Sequence, residues 1–447
     1  MLNDKKTIRA WTMYDWANSA YNLIITSAIF PAYFTACVPD QISLFGKSFA
    51  SESIASWSIA LAFLIIACVS PILGAIADTK GNKKAFMRFF CTIGAIACAG
   101  LFFFKKDEAG IANTWYGVSL SIIACIGYCG SIVFYNAYLP EIASKDQQDS
   151  VSAKGFIMGY IGSVSLLICC LAFILLNEKY HWVPGNLPPR VSFVLVGIWW
   201  LGFSQIPFSV LKDGKATVLK SGESVLKSGY KKLGRVWDEL QHQQHLKNYL
   251  LAFFFITMGV QTIMYMATYF AAKEINLEQA ELITVVLIIQ FVAIGGAWLF
   301  SKISAWKGNI ASIASMLVIW MGVCAGASYL VFDAAAFYIL AFVVGLIMGG
   351  TQSLCRSTFS KMLPMNNAEI ELDILQNSPE HENKVASYFS FLDFVEKMGI
   401  VIGTTTFGLI ANVTGMRMSA LSLGVYFLIG LIVLLTVKYD FKKGDQV

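Results

Sequence analysis

Three ionisable residues lie inside one apolar run: Asp393, Glu396 and Lys397 in SYFSFLDFVEKMGIVIG, residues 387–403. Each unpaired charge at mid-bilayer costs about 2.5–3.5 kcal/mol on the insertion scale, so three of them on a lipid face are hard to tolerate. Asp393 and Lys397 are four residues apart with the acid nearer the N-terminus, the favourable order for a pair on a helix. Glu396 is then a surplus carboxylate, and such a group can take up and release a proton. The rival reading of the trio is an ion pair that latches two parts of the fold, with the segment near 53–76 as the expected partner.

A second cluster is YDWANSAYN, residues 14–22. At about 100° per residue, Asp15, Asn18, Ser19, Asn22 and Thr26 share an arc of about 100°. Trp16, Leu23 and Ile24 point elsewhere. A polar stripe on an apolar helix faces water or a bundle interior, and its amides suit hydrogen bonding to a small polar solute. Asp15 alone has a plainer reading, since Trp11, Tyr14 and Trp16 flank it as anchors at a membrane surface do. Comparable polar positions recur at Tyr128, Tyr135 and Asn136, at Gln261 and Thr262, and at Thr351, Gln352 and Arg356.

The elements that must position these residues are membrane helices. The 447 residues are 57% hydrophobic and 14% charged, with mean hydropathy +0.63. Soluble domains carry about 25% charged residues. Twelve continuously apolar stretches are long enough to span: near 10–34, 53–76, 86–104, 113–138, 153–176, 191–211, 249–271, 280–301, 310–331, 334–356, 385–410 and 418–437. They are numbered spans 1–12. Alternating barrel strands are excluded by the unbroken hydrophobicity. No signal peptide is expected, because the first stretch is too long for a signal core and lacks a cleavage site. Of the 33 Lys and Arg, 25 fall on the side of the termini and seven on the other. The positive-inside rule therefore predicts cytoplasmic termini. The ten cysteines fall mostly inside spans and read as small packing residues rather than a disulfide framework.

The chain divides as a six-helix bundle over 1–211, a linker over 212–247 and a second bundle over 248–447. The linker repeats VLKSG at 218–222 and 225–229. Leu226, Tyr230, Leu233, Trp237 and Leu240 recur at helical spacing among basic residues. That predicts an amphipathic helix on the inner membrane surface, or a plain tether. Glu239, His242 and His245 on that helix read as a solvated face, not a metal site. Residues 365–384, with Glu369, Glu371, Asp373, Glu380 and Glu382, read as an acidic solvated loop.

Between spans 2 and 3 stands GAIADTKGNKK, residues 74–84. Gly74 lets two helices approach closely. Asp78 can accept hydrogen bonds from a neighbouring helix N-terminus. Gly81 permits a sharp reversal, and Lys83 and Lys84 hold the loop in the cytoplasm. This loop resembles the signature loop of the major facilitator superfamily, although Thr79 stands where a basic residue is usual and Lys80 follows it. The copy in the second half, GAWLFSKISAWKGN at 296–309, keeps Gly308 but has no Asp, so no gating is expected of it. Glycines at 155, 159 and 162 of span 5, and at 399 and 403 of span 11, read as packing positions. The superfamily's Gly-Pro antiporter pair is absent from span 5.

Tyr14–Tyr21, Tyr135-Asn136-Ala137-Tyr138-Leu139-Pro140-Glu141, Gly159-Tyr160-Ile161-Gly162 and Gly259-Val260-Gln261-Thr262 together resemble the vacuole effluxer branch and its bacterial relatives. Met258 stands where that branch often has an acid. The resemblance implies an all-α fold of twelve helices in two pseudo-symmetric bundles. Spans 1, 4, 7 and 10 would line a central cavity. Asn18, Asn22, Tyr135, Asn136, Gln261, Thr262 and Gln352 would contact solute there. Asp15, Asp393, Glu396 and Lys397 would couple or latch, and Gly74, Asp78, Gly81, Lys83 and Lys84 would gate. The resemblance also implies export of small solutes, amino acids being the class associated with the fungal members.

No nucleotide-binding loop, hydrolase elbow or zincin motif is present. The expectation is a secondary transporter working by alternating access in a bacterial inner membrane. It would act as a monomer, with a small solute and protons as partners and no cofactor, metal or nucleic acid. A sensor or scaffold on the same fold, or an uncoupled facilitator, are the alternatives.

Overall fold

The structure, a computed structural model, describes residues 2–44, 46–106, 113–214, 225–363 and 384–438. The acidic residues of the 365–384 stretch and the first VLKSG copy lie outside the described residues.

Among the described residues, twelve helices are long and apolar enough to cross a membrane. They are span 1 Lys5–Cys37, span 2 Trp57–Lys80, span 3 Lys83–Phe103, span 4 Thr114–Ile142, span 5 Gln148–Tyr180 and span 6 Leu187–Val210. In the second half they are span 7 Gln244–Glu274, span 8 Glu281–Lys307, span 9 Asn309–Tyr329, span 10 Ala334–Met362, span 11 Val385–Thr414 and span 12 Met416–Leu435. Helices are the natural solution where no water satisfies the backbone. Most begin or end several residues beyond the apolar run, because polar first and last turns continue the ladder outside the lipid.

Two local features depart from expectation. A hairpin, β1 Gln41–Leu44 and β2 Lys47–Ala50, joins spans 1 and 2, with Gly46 turning at φ +76°. Span 1 is not uniform either. It is α-helical over Lys5–Ala20, widens to a π-helix over Tyr21–Ala28, and resumes over Ile29–Cys37. Pro31 has no N–H to continue the upstream ladder, and the amide of Ile29 reaches back to the carbonyl of Ile24. Wide turns of this kind re-aim side chains and recur at functional sites.

Within the first half, span 1 packs on spans 5 and 6, span 3 on spans 4 and 6, and span 2 on span 4. In the second half, span 7 packs on spans 11 and 12, span 9 on spans 10 and 12, and span 8 on span 10. The halves meet where span 2 lies on span 11, and where span 5 lies on spans 8 and 10. A shift of six spans exchanges these contacts, which is the pseudo-symmetry of the fold. It extends to the turns. The second-to-third connection of each three-helix unit contains a left-handed residue: Gly81 at φ +64°, His181 at +51°, Gly308 at +86° and Gly415 at +89°.

The linker helix, Val225–His242, lies with one face on the protein. Its buried face includes Lys232, Val236 and Leu240, and Gly229 lies against Ile76 of span 2. Glu239 pairs with Lys384 and accepts from the Tyr388 hydroxyl at the start of span 11. Trp237 lies 5.9 Å from Phe391. Tyr230 and Trp237 remain exposed.

Candidate functional site

The hydrogen bonds and ion pairs found between the halves are concentrated toward the linker end of the spans, in successive layers. The layer nearest the loops is built on Asp78. Span 2 ends with this carboxylate aimed at the first turn of span 11. There it accepts from the amides of Ala386 at 3.1 Å and Ser387 at 2.7 Å and from the Ser387 hydroxyl at 2.7 Å. A helix N-terminus favours an anion. Gly74 makes the approach possible, since a methyl there would stand 2.0 Å from Ser390 Oγ. Lys83 is buried, pairs with Glu141 at the end of span 4 and lies 5.2 Å from the Tyr138 ring. It therefore braces the first half at the loop. Lys84 donates to the carbonyl of Leu211 at 2.8 Å.

The second layer shows what the sequence reading missed. The second-half loop lacks an acid, but span 5 supplies one. Asp149 Oδ2 accepts from Lys361 Nζ of span 10 at 2.6 Å and from Ser304 Oγ of span 8 at 3.0 Å, and Oδ1 accepts from Asn309 Nδ2 at 2.8 Å. All four residues are buried. The degenerate copy thus joins the halves with its polarity reversed: donors on the loop side, acid on the opposing helix. The signal lies in Ser304 and Asn309 themselves, but the apolar run of span 5 begins near 153 and leaves Asp149 outside it.

Deeper in the fold, Asp15 is buried, not interfacial. Its Oδ2 accepts from the Tyr135 hydroxyl at 2.6 Å and from Arg356 Nη1 and Nη2 at 3.3 and 3.4 Å. Arg356 also donates to Ser152 Oγ at 2.9 Å, the Ser152 carbonyl at 2.8 Å and Asn136 Oδ1 at 3.3 Å. Trp11 stacks on Tyr135 at 4.4 Å and donates to its carbonyl. Span 5 can approach because of its glycines: Gly155 opens onto Asp15, Gly159 onto Ser19 and Gly162 onto Trp16.

The fourth cluster is the charged trio of span 11. Lys397 Nζ stands 3.3 Å from Asp393 Oδ1 and 3.8 Å from Glu396 Oε1. Asp393 also accepts from Ser70 Oγ of span 2 at 3.2 Å, and Lys397 lies 5.6 Å from the Phe63 ring of the same span. Asp393 and Lys397 are buried, whereas the Glu396 side chain is 26% exposed and accepts from Gln261 Nε2 of span 7 at 3.1 Å. Gln352 accepts from the Tyr160 hydroxyl across the halves at 2.8 Å.

Two expected solute contacts do not join these clusters, and a third stands apart in the open. Asn18 is buried, its Oδ1 accepting only a long bond from Ser19 Oγ at 3.4 Å. Thr262 is buried against span 11, where a methyl at Gly403 would stand 2.5 Å from its Oγ1. Asn22 is exposed, in the π-helical part of span 1.

Residues 3–447 match the family described as Vacuole effluxer Atg22 like. The chain belongs to this family. It is 30% identical over 433 residues to the protein described as uncharacterized MFS-type transporter YxiO of Bacillus subtilis, covering 96% of this chain and 94% of that one. It is 23% identical to autophagy-related protein 22 of Eremothecium gossypii, covering 92% and 86%. The fold resembles FucP, a major facilitator superfamily transporter in the outward conformation, with TM-score 0.70, 12% identity and coverage of 97% and 99%. It also resembles a bacterial homologue of the iron transporter ferroportin in an outward-facing state, with TM-score 0.66, 11% identity and coverage of 98% and 100%. The chain is a membrane transporter of the major facilitator type.

Proposed function

We propose that the chain is a secondary active exporter of small polar solutes, with amino acids as the class, working by alternating access and driven by protons. The description of the family as effluxers supports the direction. Both termini and the linker face the cytoplasm in this reading, in line with the distribution of Lys and Arg. The structure is then the state closed toward the cytoplasm, and Asn22, Gln261 and Glu396 face the open side. Tyr135, Asn136 and Gln352 become solute contacts once the halves part.

The observation that carries the coupling is the position of Glu396. Asp15 is matched by Arg356, whereas Asp393 and Glu396 share the single cation of Lys397 at 3.3 and 3.8 Å, so the trio holds one carboxylate more than it has cations and Glu396 is the more distant of the two. It is also partly exposed and held by a neutral amide from another span. Protonation would release Gln261 and let spans 7 and 11 shift.

The test is solute flux in proteoliposomes with an imposed pH gradient. Glu396→Gln is expected to lose most of the gradient-driven flux while retaining exchange of solute across the membrane. Gradient-driven flux equal to the parent's would end the coupling assignment.

A further inference from the structure

Arg356 is carried by span 10, yet the groups that hold its guanidinium belong to the first half. Asp15 meets the charge at 3.3 and 3.4 Å. The hydroxyl and carbonyl of Ser152 accept at 2.9 and 2.8 Å, and Asn136 at 3.3 Å. The rings of Trp11 and Phe156 lie 4.9 and 4.2 Å from the guanidinium carbon. Gly155 leaves the room: a methyl there would stand 2.4 Å from Asp15 Oδ2 and 2.8 Å from Arg356 Nη2. A carboxylate with further hydrogen-bond acceptors around it and aromatic faces beside it is a receptor for an organic cation. Nothing in that recognition requires the cation to be tethered to span 10.

When the halves part at the linker end, as alternating access requires, Arg356 leaves with span 10. Asp15 then keeps the Tyr135 hydroxyl as a donor but loses its counter-charge, in a pocket still lined by the first half and now reachable from the linker side. We infer that the guanidinium or ammonium group of a solute takes the place of Arg356 at that point. The socket is a cation subsite, occupied in turn by the protein's own arginine and by cargo. Asp15, Ser152 and Asn136 accept five hydrogen bonds, one from Nε and two from each Nη, as many as a guanidinium has N–H groups, so the preferred ligand is a solute with a compact planar cation. This inference rests on the transport reading for the motion that vacates the socket, but not for the recognition itself.

The test is chemical replacement in the full-length protein in detergent. Arg356→Ala empties the socket and is expected to melt below the parent. Methylguanidinium, titrated at millimolar concentration against sodium chloride of matched ionic strength, is expected to raise that melting temperature saturably. The rise should vanish in Asp15→Asn/Arg356→Ala. Arg356→Gln, which keeps a donor for Ser152, is titrated in parallel. For a variant that does not survive purification, the yield of monodisperse protein with and without methylguanidinium during extraction is read instead. No saturable gain in either variant, or the same gain without the Asp15 carboxylate, overturns the socket. Binding is read here without flux. A rescued variant alongside a parent that moves no solute would therefore overturn the transport reading and leave the subsite standing.

Discussion

Asp15 has neighbours that make it look like a surface anchor, and its real partners are far away in sequence. Trp11 and Tyr14 are fully buried, so they pack the socket rather than mark a membrane boundary. Arg356 lies 341 residues downstream, and no local pattern could pair the two. Gly155 decides whether the pair can form. A side chain there must push aside a carboxylate and a guanidinium at once, and overpacking of this kind costs about 1–3 kcal/mol. Gly155→Ala is expected to lower the melting temperature by several degrees and to cut flux. Gly202→Ala in span 6, where a methyl meets nothing within 4 Å, should leave both unchanged. Equal behaviour of the two alanines in melting and flux assays would remove Gly155 from the site.

At the scale of elements, the twelve spans were legible because lipid imposes one simple requirement, a long apolar run. The hairpin, two strands of four residues each, was not, because it is too short to show a period. The π-helical stretch of span 1 was not legible either. A wheel drawn at about 100° per residue presumes bonds to the fourth residue back. Beyond Tyr21 that presumption fails, so Asn18 and Asn22 do not share one environment. The trio of span 11 was legible in its pairing, since Asp393 and Lys397 are local. The role of the linker helix was not, because amphipathicity tells that a face is buried but not against what. The structure puts it beneath spans 2 and 11 through Glu239, Lys384 and Tyr388. Glu239→Ala is expected to leave the helix content unchanged by circular dichroism and to increase protease cleavage in the linker. Unchanged cleavage would mean that the helix is held by its apolar face alone.

For the whole molecule, the layers of bonds at the linker end join the halves, and alternating access as proposed requires them to part. Asp149 is the most consequential residue of these layers, since it meets Lys361, Ser304 and Asn309 together. Removing one member of a buried ion pair costs about 3–5 kcal/mol. At about 1.4 kcal/mol per tenfold, even half of that cost shifts the balance of states by more than an order of magnitude. Asn22→Cys, with the exposed Cys68 and Cys169 replaced by Ser, reports the state. A membrane-impermeant maleimide is expected to label it from outside the cell, and adding Asp149→Ala should slow that labelling. Labelling that requires permeabilised cells would reverse the orientation, and labelling indifferent to Asp149 would leave the layer without a role in the balance.

Asp78, Asp149 and Asp15 all come from the first six spans, and each is answered from the last six: backbone amides and a hydroxyl of span 11, then Lys361 with its neighbours, then Arg356, which shares Asp15 with Tyr135 of span 4. In these three layers the first half supplies the carboxylates and the second half the donors, whereas in the fourth cluster Asp393 of span 11 accepts from Ser70 of span 2. Two first halves brought together would set Asp149 and Asp15 against carboxylates, and two second halves would set Lys361 and Arg356 against cations. In these layers the halves are not interchangeable, and a chain cut in its linker would keep the pairing of first half with second as the one that satisfies them.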